Sequence, residues 1–203
     1  MTPAHPTVQR RLQYREDTRR AILDAAEDLL VEGGLDAFSM RRLAGRCGCT
    51  APTLYHYFRD KPGLIHALLE ERMQRLVAEL RRVPPSEDPR QQLRALYLSF
   101  ARFGLRNPSH YELLTLNHDP DAADPPAGEE ARRLLVDPLE ALARSGGVEP
   151  EDFERLRLAL WSLLHGYILL RTTRPDEAWS DAVLERSLDA LLEATLGAVE
   201  DRS

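Results

Sequence analysis

The chain has 203 residues, of which 43% are hydrophobic and 30% charged, and a formal net charge of −6. That balance fits a folded globular protein of one large domain or a small one joined to a larger one, and it excludes a disordered chain. The longest nearly apolar run, Leu158–Leu170, is flanked by Arg157 and Arg171 and interrupted by His165; it is shorter than the roughly 20 residues that a bilayer requires, so no membrane partner is expected.

The N-terminal stretch MTPAHPTVQRRLQYRED has no apolar core and is not a secretory signal. Two cysteines, Cys47 and Cys49, give no disulfide framework. Both features point to the cytoplasm. Residues 1–14 read as a flexible basic arm, in which Arg10 and Arg11, with the nearby Arg15, either reach a minor groove or belong to a disordered tail.

Apolar positions at Ile22, Ala25, Ala26, Leu29 and Leu30 have helical spacing over 15–32, and Gly33-Gly34 ends that helix. Ser39 caps a second helix that turns Met40, Leu43 and Ala44 inward until Cys47-Gly48-Cys49 breaks it. Thr50 caps a third, with Pro52 in its first turn and Leu54 and Phe58 as buried anchors. Asp60 caps a fourth, from 61 to about Arg82. Two short helices joined by a tight glycine turn form a helix-turn-helix.

Pro84-Pro85 is the clearest internal break. Beyond it the pattern stays helical over 87–106, 108–117, 128–144, 151–172 and 177–199, with the acidic, proline-rich loop Asp119–Gly128 between two of these. No strand-like alternation of useful length and no internal repeat occurs. The fold class is therefore all-α.

Charge is uneven. Residues 1–61 hold ten basic and eight acidic side chains, and within 39–61 five basic residues face Asp60 alone. A mildly basic head on an acidic body suits a nucleic-acid reader that does not cling to phosphate everywhere.

Residues 18–65 resemble the DNA-binding head of the TetR family of transcriptional regulators. The resemblance rests on AILDAAEDLLVEGGLDAFSMRRLAGRCG followed by TAPTLYHYFRDKPGLI, with the Tyr55-His56-Tyr57-Phe58 run and Lys61 as its sharpest part. It departs at Cys47 and Cys49, where the family places a small residue and a valine or isoleucine. A weaker resemblance, in Trp161–Gly166 (WSLLHG), is to one class of ligand and dimer domains of that family.

The chemistry of the head fits such a role. Thr50 offers a hydroxyl to phosphate at a helix N-terminus, which favours anions. Ala51, Pro52 and Thr53 stand where bases are met, their methyl and methylene groups suiting the thymine methyl. Tyr55 and Tyr57 aim hydroxyls at the backbone, and Lys61 adds a point charge there. Arg41 suits a guanine contact. His56 is either a base contact or exposed filler.

Cys47 and Cys49 suggest an alternative, a thiol- or metal-responsive regulator, against which stands their reading as small buried hydrophobes. His66, His110, His118 and Asp119 offer ligands for a metal or a metal-chelating drug, against which stands their reading as structural or exposed side chains. No cofactor or resident metal is expected. The chain has no glycine-rich phosphate loop, nucleophile elbow or metal-ligand pair at helical spacing, so it is not read as an enzyme. A purely architectural DNA binder without an effector would be more basic and smaller.

The remaining chain reads as a bundle. Phe153, Leu156, Leu160, Leu163, Leu164, Tyr167 and Leu170 form one face of 151–172, and Leu158, Trp161 and Ile168 widen it. A helix apolar on more than one face is buried both against its own core and against a partner. With 177–199, where Leu188 and Leu191 lie near the middle of the apolar face, it predicts a homodimer through the last two helices, with one recognition helix per half-site of a palindromic operator. The other helices then enclose a pocket for an unknown small-molecule effector, lined by Tyr97, Phe100, Phe103, Tyr111 and Leu114, with Trp161 and His165 at one wall. The domains expected after the arm are a three-helix DNA-binding domain over 15–60 and a helical ligand-binding and dimerisation domain over 61–203. The function expected is a dimeric, sequence-specific repressor released by its ligand.

Overall fold

The computed structural model describes residues 6–109, 111–112, 125–145 and 149–200, with side chains described for all of these except 6–7, 35–36 and 195–200. Eight helices and no strand are assigned among the described residues. They are α1 (Pro6–Ala37), α2 (Met40–Arg46), α3 (Ala51–Phe58), α4 (Lys61–Leu80), α5 (Pro89–Arg106), α6 (Pro126–Ser145), α7 (Pro150–Thr173) and α8 (Asp181–Glu200).

The chain forms two compact units that divide inside α4, between Arg72 and Met73, and not at the Asp60 cap. The reason lies in the leucines of α4. Leu64 and Leu68 belong to the core of the first unit, whereas Leu76 and Leu80 belong to that of the second.

In the first unit α1 starts at Pro6, well before residue 15, so residues 6–14 are helical and do not precede the helix as an arm. Hydrogen bonds one turn apart support this start: Gln13 donates to Asp17 at 3.0 Å and the Thr18 hydroxyl to the Tyr14 carbonyl at 2.8 Å. Gly34 interrupts the helix with a left-handed φ of 68°, which glycine adopts without a Cβ penalty. The Ser39 hydroxyl caps α2 by accepting from the Arg42 amide at 3.2 Å. The other end of α2 is a Schellman turn: Gly48 has φ 62°, and the Cys49 amide reaches back to the Ala44 carbonyl at 3.0 Å.

Thr50 has the extended backbone of an N-cap but does not cap α3 through its side chain. Its hydroxyl bonds that of Thr53 instead, at 2.9 Å. Helix α3 ends at Arg59, whose φ of 62° is left-handed. Asp60 then caps α4 as expected, its Oδ1 accepting from the Gly63 amide at 2.7 Å. A Cβ on Gly63 would lie 2.5 Å from the Phe58 carbonyl oxygen, so this turn requires glycine.

Leu23, Leu43, Leu54, Leu64 and Leu68 have no exposed surface and make the centre of the first unit. Next along the same stripe of α4 comes Arg72, also fully buried. Its guanidinium meets Asp24 at 2.7 Å and Glu27 at 2.5 Å, both on α1, and Glu71 at 3.2 Å.

In the second unit α5 packs on α6, α7 and α8, and α7 pairs with α8. The Asp88 carboxylate caps α5, accepting from the Arg90 amide at 2.9 Å. Helices α5 and α7 approach closely at Gly104, where a Cβ would sit 3.1 Å from Ile168. Helix α8 begins only at Asp181, so Trp179 falls in the preceding turn, where its indole N–H donates to the Arg174 carbonyl at 2.8 Å. Leu188 is 1% exposed and part of this unit's own core, which places it beneath the helix surface and not on an outward face. Also packed here is His165, whose Nδ1 lies 2.7 Å from the Tyr111 hydroxyl.

Two predictions follow from these cores. Arg72→Met leaves Glu27, at 7% exposure, as a buried carboxylate without its cation. Native-state hydrogen exchange should show the head amides of α1 and α4 losing about 3–5 kcal/mol of protection while α5 to α8 keep theirs, and adding Glu27→Leu should restore part of the loss. Unchanged head protection would remove the ion cluster from the account.

The second prediction concerns His165, whose pKa burial lowers from 6.5 to about 4. Between those values the unfolded chain binds a proton that the folded chain refuses. The stability due to neutral His165 is therefore complete above pH 6.5 and lost as pH falls toward about 4. Unfolding curves of wild type and His165→Gln across this range should converge on acidification by that amount; a constant gap would mean that His165 titrates normally.

Candidate nucleic-acid interface and bundle site

Helix α3 buries Leu54 and Phe58 and turns its other side outward. Thr50, Pro52, Tyr55 and His56 are exposed, and Ala51, Thr53 and Tyr57 are half-buried. Because the Thr50 and Thr53 hydroxyls bond each other, one of the two O–H groups is used between them and one remains to be offered outward. Tyr55 is 49% exposed. The His56 ring meets Tyr57 edge-on at 5.8 Å. Tyr57 itself leans toward α1, where it shares a groove with Leu12, Arg15 and Arg19.

The basic residues of the head have unequal roles. Arg42 donates to the Ala37 carbonyl at 2.7 Å. Arg46 forms a two-pronged pair with Glu32 at 2.7 and 3.1 Å, which lowers the Glu32 pKa and raises that of Arg46. Lys61 is half-buried; its ammonium donates to the Phe38 carbonyl at 3.1 Å and sits 5.4 Å from the Phe38 ring centre. Arg41 is exposed and has no side-chain partner among the described residues. The candidate contacts Arg41, Thr50, Ala51, Pro52, Thr53, Tyr55 and His56 thus fall on α2 and α3 or at the N-cap of α3, while Tyr57 and Lys61 also serve the packing of the head.

Cys47 and Cys49 are free, half-buried thiols packed against the head core. Burial, and then the neighbouring Cys49, push the Cys47 thiol up. It stays protonated at neutral pH, and a thiol is a poor nucleophile and metal ligand compared with a thiolate. Among the described residues no group of three His, Cys, Asp or Glu side chains is placed to hold a metal ion.

In the bundle the sequence-derived residues are partly brought together. Phe100, Tyr111 and Trp161 surround His165, with ring centres 5.7, 5.5 and 3.9 Å from its own. Tyr97 and Phe103 are in the same core, 2% and 4% exposed. Burial pushes the Tyr97 hydroxyl up to about 12, against the opposing pull of Arg157, and the Tyr111 hydroxyl also to about 12. Leu114, with His110, His118 and Asp119, lies outside the described residues. Sequence reading missed a groove of about 350 Å³ along α5, lined by Val83, Pro84, Arg94, Leu98 and Arg102 among others. It missed Arg72 too, although an arginine at the centre of the spacing Leu64, Leu68, Arg72, Leu76, Leu80 was a signal in plain view.

Comparison with known proteins agrees with this geometry. The family description "Bacterial regulatory proteins, tetR family" matches residues 22–68, and "Tetracyclin repressor-like, C-terminal domain" matches residues 93–195, half of the chain. The uncharacterized HTH-type transcriptional regulator Rv0681 of Mycobacterium tuberculosis is 26% identical over 167 residues, covering 82% of this chain and 76% of that protein. The HTH-type transcriptional repressor KstR of the same organism is 30% identical over 143 residues, 69% of this chain and 64% of that one. A TetR family transcription regulator from Marinobacter aquaeolei superposes with a TM-score of 0.74 at 22% identity, over 90% of this chain and 97% of that one. Regulators of this family bind DNA and dimerise, and none of these comparisons points to an enzyme. An all-α chain with a helix-turn-helix head and a helical C-terminal part, matched along both, belongs to the TetR family of DNA-binding transcriptional regulators.

Proposed function

We propose that this regulator is a homodimeric repressor that grips a palindromic operator with two copies of α3 and is released when a small molecule binds in the bundle. The observation that supports it best is the outward side of α3: short side chains at its N-terminal end, phenol, imidazole and guanidinium groups beside them, and a buried Leu54–Phe58 anchor beneath. Arg41 and Thr53 read bases; Thr50, Tyr55, Tyr57 and Lys61 hold phosphates. The work is done in the cytoplasm, where the DNA is.

Dimerisation is assigned to α7 and α8, which leave Leu158, Trp161, Leu169 and Leu170, and Val183, more than 40% exposed. Leu188 takes no part in this interface. Large apolar side chains left exposed on these two helices support a partner surface there. Helix α4 supports the coupling of ligand to DNA, because one continuous helix contributes Lys61 and Leu64 to the head and Leu76 and Leu80 to the bundle core. A ligand that favours one arrangement of the bundle then shifts the population of binding-competent dimers, and operator DNA weakens ligand binding by the same factor.

Selection of bound sequences from random DNA should return one inverted repeat; recovery of unrelated sequences would favour an architectural role. On that operator Lys61→Ala removes two cations per dimer, so the slope of log K against log salt should flatten by about two and affinity should fall for all sequences alike. Thr53→Ala should leave the slope in place and relax the preference at one base pair per half-site by about 1–3 kcal/mol. The reverse pattern would assign these two residues the opposite roles.

Sedimentation checks the interface. Leu169→Glu, on a residue 56% exposed, should give a folded monomer, whereas Leu188→Glu should unfold the second unit. A dimer that survives Leu169→Glu would move the interface elsewhere.

A further inference from the structure

The groove along α5 has a volume of about 350 Å³, at the lower end of the roughly 300–1,000 Å³ that small-molecule sites occupy. One wall is the end of α4 and the turn after it, from Glu79 to Pro84. The other is α5 from Gln91 to Arg102, a wall about 16 Å long at the helical rise. The floor is aliphatic. Leu98 is 8% exposed and belongs to the bundle core, and Val83 packs against that core. No aromatic side chain is among the described residues that line the groove.

The polar groups of the groove are mostly donors, and they are unequally committed. Arg94 is matched by α8: its Nη2 donates to Glu185 at 2.8 Å, and its Nε lies 3.5 Å from Asp189. Arg82 lies 3.4 Å from a Glu79 oxygen that Arg106 also approaches, at 3.6 Å. Gln91 spends its carbonyl oxygen on the Ser86 hydroxyl at 2.6 Å, and its amide nitrogen has no partner among the described residues. The Ser99 hydroxyl has none there either. Nor has the guanidinium of Arg102, which is exposed and one turn further along α5. Arg82, Arg94, Arg102 and Arg106 set against Glu79, Glu185 and Asp189 leave one positive charge in excess. The arginine without a carboxylate is Arg102.

We propose that this groove binds a small aliphatic monocarboxylate, its head on Arg102 and Ser99 and its stem along Ala95, Leu98 and Val83. The site is independent of the release mechanism above. A guanidinium fork matches a carboxylate with two parallel hydrogen bonds. One charge in excess suits a monoanion better than a phosphate dianion. An exposed ion pair alone contributes little, so the head needs a stem that takes apolar surface out of water. The floor offers an alkyl stem such contact, and an aromatic one no ring to meet.

Octanoate and octan-1-ol test this on the full-length protein, because they share a stem and differ in the head. Octyl phosphate adds charge, and acetate removes the stem. Calorimetry should show octanoate bound on the order of ten-fold more tightly than octan-1-ol, the worth of one hydrogen bond between charged groups. Acetate should not bind, and octyl phosphate should bind no more tightly than octanoate. Amide NMR of the wild type should place the octanoate shifts on the 91–102 stretch of α5 and on Arg82 and Val83. Arg102→Gln changes an exposed side chain without a partner, so it should keep the fold and lower octanoate to the affinity of octan-1-ol. Arg90→Gln, on the same helix but outside the groove, should change nothing. The proposal is overturned by absent octanoate binding, by equal affinity for octan-1-ol, or by tighter binding of acetate or octyl phosphate. Shifts elsewhere in the bundle, an Arg102→Gln variant that binds as the wild type does, or an equal loss in Arg90→Gln would overturn it too.

Discussion

The head depends on one buried cation. Arg72 has no exposed surface, yet its guanidinium is met by carboxylates from two helices, Asp24 and Glu27 of α1 and Glu71 of α4. Taking an arginine out of water is costly, and such clusters add little net stability over a well-packed apolar substitute. What they add is geometry. Leucines at 64 and 68 would tolerate α4 turned or slid by a fraction of a residue against α1. A planar fork bonded to two carboxylates one turn apart would not. Everything that positions α3 is built on that frame: Leu54 and Phe58 of α3 pack into the same core as Leu64 and Leu68.

A second consequence concerns charge. Counted along the sequence, the segment from 39 to 61 is basic, and the count suggests a surface made for phosphate. In the folded head part of that charge is matched. Arg46 is matched by the Glu32 carboxylate, whereas Arg42 and Lys61 bond the neutral carbonyls of Ala37 and Phe38 and keep their charge. Phosphate attraction grows with the number of free cations. A cation matched by a carboxylate inside the head, as Arg46 is by Glu32, adds less to that attraction. The outward side of α3 carries chiefly hydroxyl, phenol and imidazole groups.

Much of the head could be read from the sequence because its signals are local. Helical spacing, the Ser39 and Asp60 caps, the left-handed glycines and Pro52 in the first turn of α3 each involve residues within one or two turns of each other. What escaped reading required knowledge of a neighbour. Thr50 looked like a capping residue, but Thr53 one turn on offered its hydroxyl a competing partner. Leu188 could stand at the interface or in the core by its spacing, because a helix apolar on several sides does not say which side its own bundle takes. Tyr97, Phe100 and Phe103 are buried, and helical spacing alone does not tell an aromatic side chain that lines a pocket from one that only fills the core. Arg72 was visible as an exception in a leucine stripe, but its carboxylates lie nearly fifty residues earlier, at Asp24 and Glu27.

The same distinction between local and tertiary control bears on how this regulator responds to its surroundings. A half-buried histidine invites a reading as a proton switch, and the Cys47–Cys49 pair a reading as a redox one. Burial argues against both. It lowers the His165 pKa to about 4, far from neutrality, so the aromatic box keeps one charge state across the physiological range. It raises the Cys47 thiol, so the attacking thiolate is scarce at the same pH. Helix α4 contributes side chains to both cores, Leu64 and Leu68 to one and Leu76 and Leu80 to the other.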